Sequence, residues 1–343
     1  MTHPFMIRLS VTVTAFLILC CSCTTGEQKI SSFAGFTQGT TYSMIFLDRG
    51  KINPDSLRKD VERILLEFDM SLSLYRDSSV VSRINRNEDV EPDEYFVEVF
   101  NRSKEIYNLT GGAFDVTVGP LVNAWGFGPD ARKNFTEQKR DSLIKLVGMD
   151  KVEIREGRVI KALPGIILDF NAIAQGFAVD VVCRAFDRKG LRNYLVEIGG
   201  EVRVRGNKTG TGWRIGIDRP EDFNMMPGQN LQAVITISDR ALATSGNYRK
   251  FFIEDGIKYS HTIDPVTGHP VRNRLLSATI LAPDCATADA IATACMVMGL
   301  ERSIEFVKAD ASLDAYFVYS DESGNFRTWF TDNLRTNISE NNP

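Results

Sequence analysis

The stretch Ile166-Ile167-Leu168-Asp169-Phe170-Asn171-Ala172-Ile173-Ala174-Gln175-Gly176 passes from an apolar run to a helix-forming run within a few residues. Ile166 to Phe170 reads as a buried strand, and a helix from about Ala172 to Lys189 follows it. Downstream, Tyr194 to Ile198, Val202 to Arg205, Trp213 to Asp218 and Leu231 to Ser238 read as strands. A hairpin around Asp255-Gly256 leads to Tyr259-Ser260-His261, and Leu276 to Ala282 is a further strand. An Ala-rich helix at 286–294, a helix near Leu300 to Ala309 and a hairpin turning near Gly324 complete the run.

Upstream, Gly35 to Phe46 alternates as a first strand. Asp55 and Ser56 can cap a helix whose Leu57, Val61, Ile64, Leu65 and Phe68 share one face. A second amphipathic helix spans about Asp93 to Leu109 and stops at Gly111-Gly112, and a third spans Thr136 to Val147. Lys151 to Ala162 reads as a hairpin turning at Glu156-Gly157. Helices and strands are interspersed without regular βα alternation, and many strands read as hairpin partners. That pattern predicts an α+β fold with mostly antiparallel sheet. No repeat or composition break divides the chain, so one unit is expected over 33–330, followed by a polar, disordered tail at 331–343.

Composition excludes several classes. Of 343 residues, 43% are hydrophobic and 24% charged, which is ordinary for a globular chain; the net charge of -4 and the lack of a long basic run argue against nucleic acid as a partner. Arg8 precedes an apolar run from Leu9 to Cys21, which is shorter than the roughly 20 residues a membrane span needs and reads as a secretory signal over 1–22. Leu19-Cys20-Cys21-Ser22-Cys23 resembles a bacterial lipoprotein cleavage box, with lipid expected on Cys23 (Cys21 as the alternative) and a polar tether over 23–32. The chain is thus expected at the bacterial cell envelope, anchored to the membrane by lipid. Beyond the anchor, Cys183, Cys285 and Cys295 each lie in apolar stretches, and no C-x-x-C pair supports zinc.

Three segments carry chemistry. In Ala286-Thr287-Ala288-Asp289-Ala290-Ile291-Ala292-Thr293-Ala294, Asp289 and Thr293 lie four apart and project from one helix face. A carboxylate and a hydroxyl one turn apart are hard ligands suited to Mg²⁺ or Ca²⁺, although an Asp in a first turn also favours the helix N-terminus by itself. Gly111-Gly112-Ala113-Phe114-Asp115-Val116-Thr117-Val118-Gly119-Pro120 reads as turn and strand, with aromatics and glycines that suit a flat ligand or a plain core connection. Ser260-His261-Thr262-Ile263-Asp264-Pro265-Val266-Thr267-Gly268 sets a histidine beside hydroxyls, as an acid-base group or a phosphate contact. No Walker A sequence and no G-x-G-x-x-G opening a helix is present.

Together these segments resemble the FAD:protein FMN transferase family, also called the ApbE family. The shared motifs are Gly39-Thr40-Thr41-Tyr42-Ser43, Ser73-Leu74-Tyr75-Arg76, the Gly112 to Leu121 stretch, the Asp169 to Gly176 box, the Ser260 to Gly268 loop and the Asp289 helix. They occur in the family's order across nearly the whole chain. The resemblance implies two intertwined subdomains with FAD in a cleft between them and Mg²⁺ beside its pyrophosphate. It implies metal contacts from the Ala172 carbonyl and the Asp289 and Thr293 side chains. Flavin-nucleotide contacts are implied for Met44, Tyr75, Ala113, Phe114, Asp115, Asp169, Gln175, His261 and Ile263, with His261 and Asp289 in catalysis.

The chain departs from the family at two positions. Ala292 stands where some members carry an extra Asp, and Gln175 where others have Lys or Glu. Tyr75 stands where some carry Asn and act as FAD pyrophosphatases. The implied reaction is Mg²⁺-dependent transfer of FMN from FAD to a threonine or serine hydroxyl of a redox protein of an electron-transport complex, with AMP released. The alternatives are an FAD pyrophosphatase and a non-enzymatic FAD-binding lipoprotein.

Overall fold

The computed structural model describes residues 28–128, 135–221, 224, 228–248, 251–254 and 257–341. The expected signal, the lipidation site at Cys23 and the turn at Asp255-Gly256 lie outside the described residues. The first strand resolves into two: β1 (Lys29–Thr37) turns at Gln38-Gly39, both at positive φ, into β2 (Thr40–Asp48). The polar stretch expected to tether the domain therefore enters the sheet by Lys29, which pairs with Asp48. An edge strand draws its hydrogen bonds from the backbone of its neighbour, so its polar side chains stay in water without penalty.

α1 (Pro54–Leu72) is capped by Asn53, whose Oδ1 accepts the Ser56 N–H at 3.0 Å, rather than by Asp55 or Ser56. α2 (Val80–Asn85) and α3 (Glu94–Leu109) follow, the latter capped by Asp93. The glycine-rich stretch is helical instead of extended. The Asp115 Oδ1 accepts the Thr117 N–H at 2.8 Å and starts a 3-10 turn at Val116–Val118, which leads into α4 (Gly119–Trp125). Then come α5 (Glu137–Leu143) and the hairpin of β3 (Val152–Arg155) and β4 (Arg158–Lys161).

The buried run 166–170 is extended but joins no sheet. The Asn85 side chain replaces a neighbouring strand: its Oδ1 accepts the Leu168 N–H and its Nδ2 donates to the Leu168 carbonyl, each at 2.9 Å. α6 (Ala174–Arg188), β5 (Asn193–Ile198), β6 (Glu201–Arg205), β7 (Trp213–Asp218) and β8 (Leu231–Ile237) follow. β9 (Ala241–Gly246), β10 (Phe251–Glu254), β11 (Ile257–Ser260) and β12 (Leu275–Ala282) lead to α7 (Cys285–Met298) and α8 (Leu300–Ala309). The chain closes with β13 (Asp314–Ser320), β14 (Phe326–Phe330) and β15 (Ile338–Glu340).

The main sheet runs β1-β2-β5-β6-β9-β12-β13-β14 and is antiparallel throughout. α1, α3, α6 and α7 cover one face in a core that includes Phe46, Phe68, Phe96, Phe170, Phe186 and Ile291. The other face meets the smaller sheet β15-β8-β7 through Val204, Leu281, Tyr316, Trp213 and Ile235. The α+β class holds as expected. The C-terminal stretch is ordered, contrary to expectation: Leu334 is buried in the second core, β15 pairs with β8, and the Tyr316 hydroxyl donates to Glu340 at 2.8 Å. The apolar Leu334 and Ile338 supply the burial that a purely polar tail would lack.

Candidate active site

A cleft of about 1330 Å³ opens among the β1–β2 turn, the end of α1, the Ala113 to Val122 segment, α6, α7, β9 and the His261 loop. Tyr75, Ala113, Phe114, Asp115, Asp169, Ala172, Gln175, His261, Ile263, Asp289 and Thr293 all line it. Met44 does not. Period-two alternation along β2 sends Tyr42, Met44 and Phe46 to the core face, and Met44 is wholly enclosed there while the cleft touches β2 at Thr40 and Tyr42.

The end of the cleft made by α6 and α7 is the more tightly built. Asp180 on α6 accepts the N–H groups of Cys285 (3.0 Å) and Ala286 (2.9 Å) and pairs with Arg203, which ties the start of α7 to α6. Gly176 makes the close crossing possible. A Cβ there would lie 2.8 Å from the Asp289 Cβ and nearer still to the Cys285 carbonyl oxygen. We expect Gly176→Ala to force the helices apart and cost about 1–3 kcal/mol in a urea unfolding titration. An unchanged midpoint would show that the crossing can give way freely.

The Gly176 N–H donates to Asp289 Oδ2 at 3.0 Å. Gly176 is the third residue of α6, where an N–H has no partner within the helix, and the Asp289 carboxylate supplies one. Ala172 lies just before α6 and lines the cleft. Thr293, one turn beyond Asp289, has its Oγ1 3.1 Å from the Ser245 Oγ of β9. Asp289 is only 7% exposed, and burial pushes its carboxyl up to about 7, with the Gly176 N–H working against that rise. A carboxylate, a hydroxyl and a backbone carbonyl are all hard oxygen donors, so the residues present fit Mg²⁺ or Ca²⁺. Among the described residues no cluster of three or more His, Cys, Asp and Glu side chains forms, and the three cysteines are buried and free.

The His261 loop is held from outside. The Trp125 indole N–H donates to the Gly268 carbonyl at 2.9 Å, the Val271 N–H donates to the Thr262 carbonyl, and the Asp264 carboxylate accepts from Val266 and Thr267. Phe127 meets the His261 ring edge-on at 6.4 Å. His261, Thr262 and Ile263 thus enter the cleft from a braced loop. At the mouth, Tyr75 is 67% exposed, and both partial burial and the nearby Asp169 carboxylate push its phenol up. Asp115 is buried with its carboxyl pushed up by desolvation, while the Thr117 bonds pull the other way.

Several lining residues carried no signal in the sequence reading: Phe36, Glu201, Thr244 and Ser245. Glu201 follows the Gly199-Gly200 turn between β5 and β6, and that pair of glycines beside an acid was the available clue. Ser245 lies on β9, whose small residues Ala241, Ala243 and Gly246 lack the β-branched signature of a strand.

The ApbE family profile matches residues 38–317. An FAD:protein FMN transferase of Vibrio cholerae serotype O1 is 39% identical over 303 residues, covering 86% of this chain and 89% of the relative. That of Haemophilus influenzae is 36% identical over 311 residues, covering 87% and 89%. Among solved structures, the flavin transferase ApbE from Vibrio cholerae superposes with a TM-score of 0.81 at 35% identity, over 91% of this chain and all of the other. The apo flavinyl transferase ApbE of Pseudomonas stutzeri gives 0.79 at 32% identity, over 89% and 95%.

Proposed function

The chain belongs to the ApbE family, and on that premise we propose that it is an FAD:protein FMN transferase that joins FMN to a threonine or serine hydroxyl of a redox protein. The observation that carries this reading is the meeting of Asp289, Thr293 and Ala172 at one cleft that also contains His261. FAD occupies the cleft, with Ala113, Phe114, Asp115, Asp169, Gln175, Ile263 and Tyr75 around the nucleotide. Asp289, Thr293 and the Ala172 carbonyl would hold Mg²⁺, which when bound neutralises charge on the pyrophosphate.

The remaining work falls to the chain. Burial of the cleft walls excludes water from the phosphates, and the braced loop holds the His261 imidazole where it can take the proton of the incoming hydroxyl. The acceptor oxygen forms a bond to the FMN phosphorus, the bond from that phosphorus to the bridging oxygen breaks, and AMP leaves with the electron pair. In the same proposal the chain sits at the bacterial envelope through lipid on Cys23, facing the electron-transport complexes it modifies.

The test combines the mature chain with FAD, Mg²⁺ and a threonine-containing acceptor domain. Flavin fluorescence on the acceptor in a denaturing gel, with matching AMP and loss on chelation, is the expected result. AMP and free FMN without labelling would favour a hydrolase, and bound FAD without either product a carrier. His261→Ala is expected to lower turnover by about 100-fold or more while leaving FAD affinity within about threefold. Equal loss in both, read from initial rates and flavin fluorescence titration, would make His261 a binding residue only.

A further inference from the structure

Small-molecule sites usually enclose about 300–1000 Å³, against about 1330 Å³ for this cleft. Its lining includes large apolar side chains held in water. Phe36 at the end of β1 is 87% exposed, Leu66 on α1 is 53% exposed, and both line the cleft together with Tyr75. Lone exposed apolar residues are common on any surface, but three on one opening are not scattered. Leu109, Ile160 and Ile253 are exposed elsewhere and line no part of the cleft.

The charges beside these side chains are answered within the chain. Glu62 accepts from Arg58 at 2.8 Å and from the Tyr42 hydroxyl at 3.0 Å, and Asp69 lies 3.8 Å from Arg76. What this rim offers a visitor is therefore apolar surface rather than net charge.

We infer that Phe36 and Leu66 form the docking surface for the acceptor protein, and that it receives a segment with large apolar side chains flanking the hydroxyl to be modified. The assignment rests on the transferase reading. A protein hydroxyl can reach a phosphate deep in the cleft only if its own neighbours in sequence lie across the mouth, and the mouth is continuous with this rim. Exposed aromatic and aliphatic anchors of this kind carry a large share of recognition in small interfaces.

The test compares wild type, Phe36→Ser with Leu66→Ser, and the control Leu109→Ser, using purified acceptor protein of the Vibrio cholerae relative as probe. Initial rates give the acceptor KM and kcat, and flavin fluorescence gives the FAD Kd. The double variant is expected to raise the acceptor KM by about tenfold or more, with kcat at saturation and FAD Kd within about twofold of wild type. Leu109→Ser leaves all three unchanged, and identical melting curves confirm that the surface changes spare the fold. An acceptor KM unchanged in the double variant overturns the docking surface while the transferase reading stands. A parallel loss of FAD affinity overturns it too, by assigning the rim to the nucleotide. If wild type labels no acceptor at all, the transferase reading fails first and takes the docking surface with it.

Discussion

Asp289→Ala is expected to lower flavin transfer by at least about a thousandfold while the chain remains folded. The substitution removes the single carboxylate of the proposed donor set, leaving Thr293 and the Ala172 carbonyl as neutral oxygens that bind a divalent cation weakly. The fold tolerates the change because α7 is already rich in alanine at Ala286, Ala288, Ala290, Ala292 and Ala294. The Gly176 N–H loses its acceptor, which costs about 1–3 kcal/mol, but the burden of a buried carboxylate disappears with it. Circular dichroism, Mg²⁺ titration calorimetry and the fluorescence gel assay check the three parts. Transfer at the wild-type rate would remove Asp289 from the metal site and from the reaction.

The second large effect is on stability, and it changes with pH. The folded Asp289 carboxyl holds its proton up to about 7, against an ordinary value of 3.8, so the fold binds that proton more tightly than the unfolded chain does. The resulting stabilisation is complete below about pH 4 and is lost as the pH climbs through about 7. Over that window, metal-free wild type is expected to lose up to about 4 kcal/mol relative to Asp289→Asn, whose neutral amide does not titrate. At the proposed metal site, saturating Mg²⁺ would bind the ionised carboxylate and is expected to reverse the order at pH 8. Urea midpoints for both chains at pH 4.5 and pH 8, with chelator and with Mg²⁺, read the effect. Midpoints that track each other across all four conditions would mean that Asp289 is not held protonated by burial.

Legibility followed the range of the interactions involved. α1, α3 and α7 were readable because their apolar spacing and termini are local, and the β3–β4 hairpin because Glu156-Gly157 names its own turn. The run 166–170 reads as a strand because it is apolar and unbroken, but its partners are the Asn85 side chain, 83 residues from Leu168, and the Val116 carbonyl, which accepts the Asp169 N–H. β9 was missed because a strand of small residues gains its stability from the neighbours β6 and β12, not from its own side chains. The C-terminal stretch looked too polar to fold, yet pairing β15 with β8 needs only a few residues and one buried leucine.

For the site the division is similar. The residue types at Asp289, Thr293 and His261, their chemistry and their family likeness were all present in the sequence, since spacing four apart on a helix determines a shared face. That Met44 turns away from the cleft, that Glu201 and Ser245 line it, and that Phe36 and Leu66 stand in water along it were decided only when the sheet closed. The Gly176 N–H is the clearest case. Nothing in Asp169 to Gly176 reveals that a donor left over at the start of α6 is taken by a carboxylate 113 residues away. Local sequence determines which groups a chain can offer. The tertiary structure determines which of them are used up by one another, because a hydrogen-bond donor satisfied in one place is withdrawn from every other.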